Sequence, residues 1–122
     1  MREKMGRRTW IFPDAELPPP GDFPLKGHEA IIVLNMGPEA ATVVMTLYFT
    51  DRPPVGGPAL KVEAGRVRCF RMDRKDDVGV EVPLETQYAI RLESDRPVIV
   101  QYGRLDSRQP NLAYYTTMGY SV

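Results

Sequence analysis

ATVVMTLYFT, residues Ala41 to Thr50, alternates with a period of two. Val43, Met45, Leu47 and Phe49 fall on one side of an extended chain, and Val44, Thr46, Tyr48 and Thr50 on the other. One face is aliphatic and belongs in a core. The other carries hydroxyls and a phenol that suit water or an interface. Upstream, His28 to Met36 (HEAIIVLNM) is a continuous apolar run between Gly27 and Gly37-Pro38, the length of a strand at a sheet centre or buried on both faces. Downstream, Asp51 to Pro58 is rich in proline and glycine and predicts a loop. Leu60 and Val62 then form a short strand joined through Glu63-Ala64-Gly65-Arg66 to a partner at Val67 to Met72. In that partner Val67 and Cys69 share one face, and Arg66, Arg68 and Phe70 the other.

The same reading extends to both ends. Thr86 to Glu93 alternates with Tyr88, Ile90 and Leu92 inward, Asp95-Arg96 predicts a turn, and Val98, Val100 and Tyr102 begin another strand. A last strand runs from about Leu112 to Tyr120, and a short first one spans Thr9 to Phe12. Twelve prolines and ten glycines leave almost no window for an amphipathic helix. About eight strands at this spacing predict an all-β fold, an antiparallel β-sandwich with Pro-rich loops.

A chain of 122 residues can bury one core without disulfides or metals. The expectation is a single domain over residues 9–122 after a flexible N-terminal segment, residues 1–8. Sixteen basic residues balance sixteen acidic ones, so no global charge steers the protein to nucleic acid or anionic lipid. No apolar stretch approaches the roughly 20 residues that span a bilayer, and Met1 to Arg8 leads into no signal-peptide core. The reading is a cytoplasmic protein with no membrane insertion. One cysteine, Cys69, and one histidine, His28, argue against an internal disulfide and a histidine-rich metal site, so neither metal nor cofactor is expected. Cys69 reads as a small buried apolar residue. Pro13 to Gly27, with five prolines and two glycines, reads as an extended connection between sheets.

Enzyme signatures are missing: no nucleophile elbow, phosphate loop, zincin helix or Cys pair occurs. Ser107, His28 and Asp106 make a triad in composition only, because adjacent residues on a turn project differently. Arg66, Arg68 and Arg71, followed by Arg74 and Lys75, could meet phosphates, but Asp73, Asp76 and Asp77 are interleaved with them. Trp10 either closes the core or offers a stacking platform. The stretch QYGRLDSRQPN, Gln101 to Asn111, crowds Gln101, Arg104, Asp106, Ser107, Arg108 and Gln109 after an apolar strand. Planar guanidinium forks beside a carboxylate suit a polar ligand, a subunit boundary or a fixed local network.

Together, Arg8-Thr9-Trp10, His28-Glu29 followed by Ile31 to Asn35, Tyr48 with Asp51 to Gly56, and Gln101 with Arg104-Leu105-Asp106-Ser107-Arg108-Gln109 resemble the sensory rhodopsin transducer family of small soluble bacterial proteins. The resemblance covers nearly the whole chain. It implies a β-sandwich of about eight strands, a cytoplasmic homotetramer and a non-enzymatic signalling adaptor. The implied partners are a membrane receptor or a small polar ligand such as a carbohydrate, with a DNA-binding regulator as the alternative. The family pattern has a second histidine after Gln101, where this chain has Tyr102 and Gly103. The ligand-binding expectation gathers Trp10, His28, Glu29, Arg52, Gln101, Arg104, Asp106 and Arg108 into one concave patch. The nucleic-acid alternative rests on Arg66, Arg68 and Arg71.

Overall fold

The computed structural model describes residues 5–108 and 112–122. The N-terminal residues 1–4, and Gln109 in the stretch singled out above, lie outside them. Among the described residues eight strands and one short helix follow in the order β1 Arg7–Glu16, β2 His28–Asn35, β3 Ala41–Phe49, β4 Val55–Val62, β5 Arg66–Arg71, α1 Lys75–Val78, β6 Gln87–Asp106, β7 Ala113–Thr117 and β8 Tyr120–Ser121. The protein is an all-β sandwich. One sheet runs β4-β3-β6-β1-β8, and β6 continues into a second in which it lies between β2 and β7, with β5 outside β2. Every strand pairing is antiparallel.

The alternation that opens the sequence is realised on β3, where Ala41, Val43, Met45 and Leu47 are buried. Tyr88, Ile90 and Leu92 of β6 meet them from the neighbouring strand, with Leu92 opposite Met45 and Ile90 opposite Leu47. Ile31 and Val33 of β2, with Phe70 of β5 and Val100 of β6, supply the facing layer of the same cluster. β2 is a central strand, as its unbroken apolar run requires.

Leu60 and Val62 do not pair with Val67 to Met72 as a hairpin, because β4 bonds to β3 and β5 to β2. The last strand is divided into β7 on β6 and β8 on β1. β1 takes in Arg7 and Arg8 of the N-terminal segment and Pro13 to Glu16 of the Pro-rich connection. Three further local expectations are corrected. Asp95-Arg96 does not end a strand, because β6 runs unbroken for 20 residues. Its first half pairs with β3 as far as Ser94, and its second half pairs with β2 from Ile99. Between them the chain turns a corner. The Ser94 hydroxyl accepts the Arg96 N–H at 3.3 Å, Asp95 accepts the Thr42 N–H at 2.8 Å, and Arg96 pairs with Glu39 at 2.7 Å. The polar residues that suggested a turn instead pin a bend where the strand changes sheets. Second, the glycine-proline segment contributes to β4, which starts at Val55. β4 is an edge strand, where a missing proline donor costs no ladder bond. Third, Cys69 is exposed. β5 is also an edge, and among the described residues no third layer covers the outward face that Cys69 shares with Val67.

Candidate functional site

Glu29 is fully buried, an unusual place for a carboxylate. It sits on the inward face of β2, one position before the aliphatic Ile31 and Val33 layer. Three donors converge on it. The Tyr88 hydroxyl donates to Oε1 at 2.7 Å, the Tyr102 hydroxyl donates to Oε2, and the Glu16 backbone N–H donates to Oε2 at 2.9 Å. A straight strand would hold Tyr88 and Tyr102 roughly 45 Å apart at about 3.3 Å per residue. Both phenols reach one carboxylate only because β6 folds back at its corner. The cage therefore ties together β1, β2 and both halves of β6.

Burial pushes the Glu29 carboxyl above its usual range, against the opposing pull of the two phenols, the Glu16 amide and the nearby Arg104 charge. Burial and the adjoining carboxylate in turn raise both tyrosines well above the ordinary phenol value. Arg104 lies opposite Glu29 in the β2–β6 ladder and opposite Tyr115 of β7 on its other side. It is half-buried. Among the described residues its guanidinium makes no hydrogen bond and no ion pair.

The surroundings of the cage come from neighbouring strand ends and loops. Phe49 stacks on Tyr88 with centroids 6.2 Å apart, and the Arg52 guanidinium lies 4.4 Å above the Phe49 ring while pairing with Asp51 at 3.0 Å. Tyr115 packs against Tyr102 at 6.1 Å. Beyond Arg104, Asp106 accepts both the backbone N–H and the Nε–H of Arg108 at 3.0 Å, which holds its carboxyl down at about 2. Arg108 also reaches Glu85 at 3.5 Å. The Ser107 hydroxyl donates to Pro20 O at 3.1 Å, which docks the Pro-rich connection onto this end. Gly27 permits that approach, since a Cβ there would stand 2.7 Å from Pro19 O.

Glu29, Arg104, Asp106, Arg108 and, through Phe49, Arg52 thus share one end of the sandwich. The other expected members do not join them. Trp10 is buried in the core, its indole N–H shared between Arg7 O and Val98 O at 3.1 Å each, so the core alternative holds and the stacking platform is lost. Gln101 and His28 alternate with inward residues and point to the opposite face of their sheet, opposite Ile32 and Leu105 respectively. His28 Nδ1 lies 2.8 Å from Lys26 O. The sequence reading missed the two tyrosines as polar partners. The signal was available: an acidic residue inside an apolar run must find donors, and Tyr88 and Tyr102 were the inward residues able to supply them.

The basic stretch is dispersed. Arg66 and Arg68 share one face of β5 and donate to backbone carbonyls, Arg66 to Gly65 O at 3.2 Å and Arg68 to Lys61 O at 2.6 Å. Arg71 lies on the other face and forms a two-bond pair with Asp73 at 2.8 and 2.7 Å.

The family model of the Anabaena sensory rhodopsin transducer matches residues 5–121. The chain belongs to that family. Among solved structures, the transducer from Anabaena superposes with a TM-score of 0.71 at 32% identity, covering 83% of this chain and 99% of that one. The crystal structure of Thermotoga maritima 1070 superposes with a TM-score of 0.86 at 31% identity, covering 96% of each chain. No curated protein matches the sequence. Membership in the transducer family identifies a signalling or adaptor class. Among the described residues no helix is long and apolar enough to cross a membrane.

Proposed function

We propose that this transducer-family protein is a non-enzymatic cytoplasmic signalling adaptor that works as a homotetramer. It binds a small polar ligand such as a carbohydrate, or a partner protein, at the end of the sandwich built around Glu29 and Arg104. The solved relative's name gives a sensory rhodopsin as one form of upstream receptor. The observation that carries the reading is Arg104. A half-buried guanidinium that makes no hydrogen bond or ion pair among the described residues, set between a caged carboxylate and an aromatic ring, has donors to spare for a planar or hydroxylated ligand. Exposed Tyr114 and Tyr115 on an edge strand supply the amphipathic surface that subunit contacts favour.

The test is calorimetric titration of the protein with a panel of monosaccharides and small carboxylates, with light scattering in parallel. Arg104→Ala should weaken a ligand by about 1.5 to 3 kcal/mol, the loss of a charge-assisted hydrogen bond, and leave a tetramer intact. Dissociation of the oligomer by Arg104→Ala with no change in any ligand response would reassign the residue to an interface. The DNA-regulator alternative has less support, because Arg71 is paired and on the opposite face from Arg66 and Arg68.

A further inference from the structure

β5 is the outer strand of its sheet, bonded among the described residues only to β2. The Met72 N–H donates back to Glu29 O on β2 at 2.9 Å, whereas the Arg71 N–H turns away and donates to the Asp77 carboxylate at 2.9 Å. Alternation of an antiparallel ladder then points the N–H and C=O of Val67 and Cys69 away from β2 as well. Among the described residues no strand takes those groups. Asp77 occupies one end of the edge, and the rest of it is open: Val67 is 63% exposed, and Arg66, Arg68 and Cys69 are exposed beside it.

Two chemically distinct rows run along this edge. Arg66 and Arg68 point to one side, and neither has a carboxylate within ion-pair distance among the described residues. Arg74 and Lys75 nearby are likewise without acidic partners there. Val67 and Cys69 point to the other side, where they stand opposite Leu34 and Ile32 on β2. Leu34 and Ile32 are in turn opposite Ile99 and Gln101. That outward face is mostly apolar.

We propose that β5 is a docking edge for an extended peptide of alternating acidic and apolar residues, which adds as a further strand. Its backbone completes the hydrogen bonds of Val67 and Cys69. Its acidic side chains fall beside Arg66 and Arg68, where opposite charges across a ladder are favourable, and its apolar side chains extend the row of Val67, Leu34 and Ile99. The recognition mode is strand addition, with affinity from the main chain and specificity from alternate side chains. A second copy of the same edge is disfavoured, because antiparallel self-pairing sets arginine against arginine. Nucleic acid is disfavoured too, since Asp73, Asp76 and Asp77 interrupt the cations and unpaired strand amides offer phosphates no continuous track. This deepens the adaptor reading by naming the chemistry of a partner, at a surface separate from the Arg104 end.

The test uses the full chain and a fluorescein-labelled, N-acetylated Glu-Val-Glu-Val-Glu-Val amide, with the Lys-Val analogue and a 20-base-pair DNA duplex as competitors. Anisotropy should rise with the acidic peptide alone, and amide exchange at Val67 and Cys69 should slow on binding. Val67→Pro removes an outward donor without touching the ladder to β2 and should weaken binding at least about tenfold, the worth of a net backbone hydrogen bond. Arg66→Glu, which keeps the strand intact, should shift preference toward the Lys-Val peptide. Three results overturn the proposal: no peptide binding at millimolar concentration, binding indifferent to both variants, or duplex binding that outcompetes the peptide and falls steeply with salt. Loss of ligand response in Arg104→Ala with peptide binding intact keeps the two sites distinct.

Discussion

Replacing Glu29 with Ala removes the one acceptor that three inward donors share. The Tyr88 hydroxyl, the Tyr102 hydroxyl and the Glu16 N–H would each lose a partner. A buried donor left unmade costs about 1 to 3 kcal/mol, and the two phenols are the more deeply placed. Relief of the carboxylate's own burial, and water entering the vacated space, offset part of this. The expected loss is about 3 to 5 kcal/mol, the lower part of the sum for three buried donors left unmade. Glu29→Gln keeps the shape and one acceptor oxygen and should lose about 1 to 2 kcal/mol at neutral pH.

Urea unfolding followed by tyrosine and tryptophan fluorescence measures both, with an unchanged m value confirming that the same surface unfolds. The pH dependence gives a second reading. A folded value raised above the ordinary 4.5 means that the native state holds the proton more firmly than the unfolded chain. Stability from Glu29 is therefore fully present below about 4.5 and is lost as pH rises through the raised native value. Wild type should fall relative to Glu29→Gln over that interval. If Glu29→Ala costs under about 0.5 kcal/mol, the level of an ordinary surface change, the cage is not what joins the two sheets.

Other perturbations separate the remaining contacts. Trp10→Phe keeps the ring in the core but deletes the donor to Val98 O, and should cost about 1 kcal/mol by denaturant titration; a cost near zero would mean that packing alone holds the ring there. Arg108→Gln releases Asp106, whose carboxyl should climb from about 2 toward 3.8 in an NMR titration. In wild type the Asp106 contribution to stability is present above its unfolded value and lost as pH falls toward 2, so the variant should lack that acid limb. Tyr102→Phe should weaken the fold by about 1.5 to 3 kcal/mol, the worth of a hydrogen bond to a charged group, and should loosen β7 through the Tyr115 contact, which faster amide exchange at Ala113 to Thr117 would report.

The fold was legible where a residue's neighbours along the chain decide its environment. β3 alternates because one face is core, and β2 does not alternate because the strand is central; both patterns survive without knowledge of any partner strand. Asp95-Arg96 was misread because a bend that keeps its ladder and a turn that ends one use the same polar residues. Cys69 was misread because whether an outward face is covered depends on the number of layers, which strand spacing does not encode. The candidate site divides along the same line. Asp106 and Arg108 are two residues apart and their pairing is local. Glu29, Tyr88 and Tyr102 meet only after β6 turns its corner, so no spacing in the sequence announces them.

That corner also bears on how an event at one surface of this transducer-family protein could reach another. The cage has members on β1, β2 and both halves of β6, and its two tyrosines are connected outward by ring contacts. Tyr88 leads through Phe49 to Arg52, and Tyr102 leads through Tyr115 to the exposed strand β7. Glu29 is adjacent to Ala30, which stands opposite Arg71 on β5. A ligand that engages Arg104 would alter the charge beside Glu29, and the two phenols are the groups that must respond, since each has its hydroxyl committed there. That continuity selects the variant that measures coupling. Tyr88→Phe cuts the branch toward Arg52 and leaves Tyr102 and β7 in place. If ligand binding at Arg104 is communicated through the cage, Tyr88→Phe should abolish any ligand-induced shift in the amide resonances of residues 49–52 while sparing those of 113–117; an unchanged pattern in both segments would mean that the cage serves stability alone.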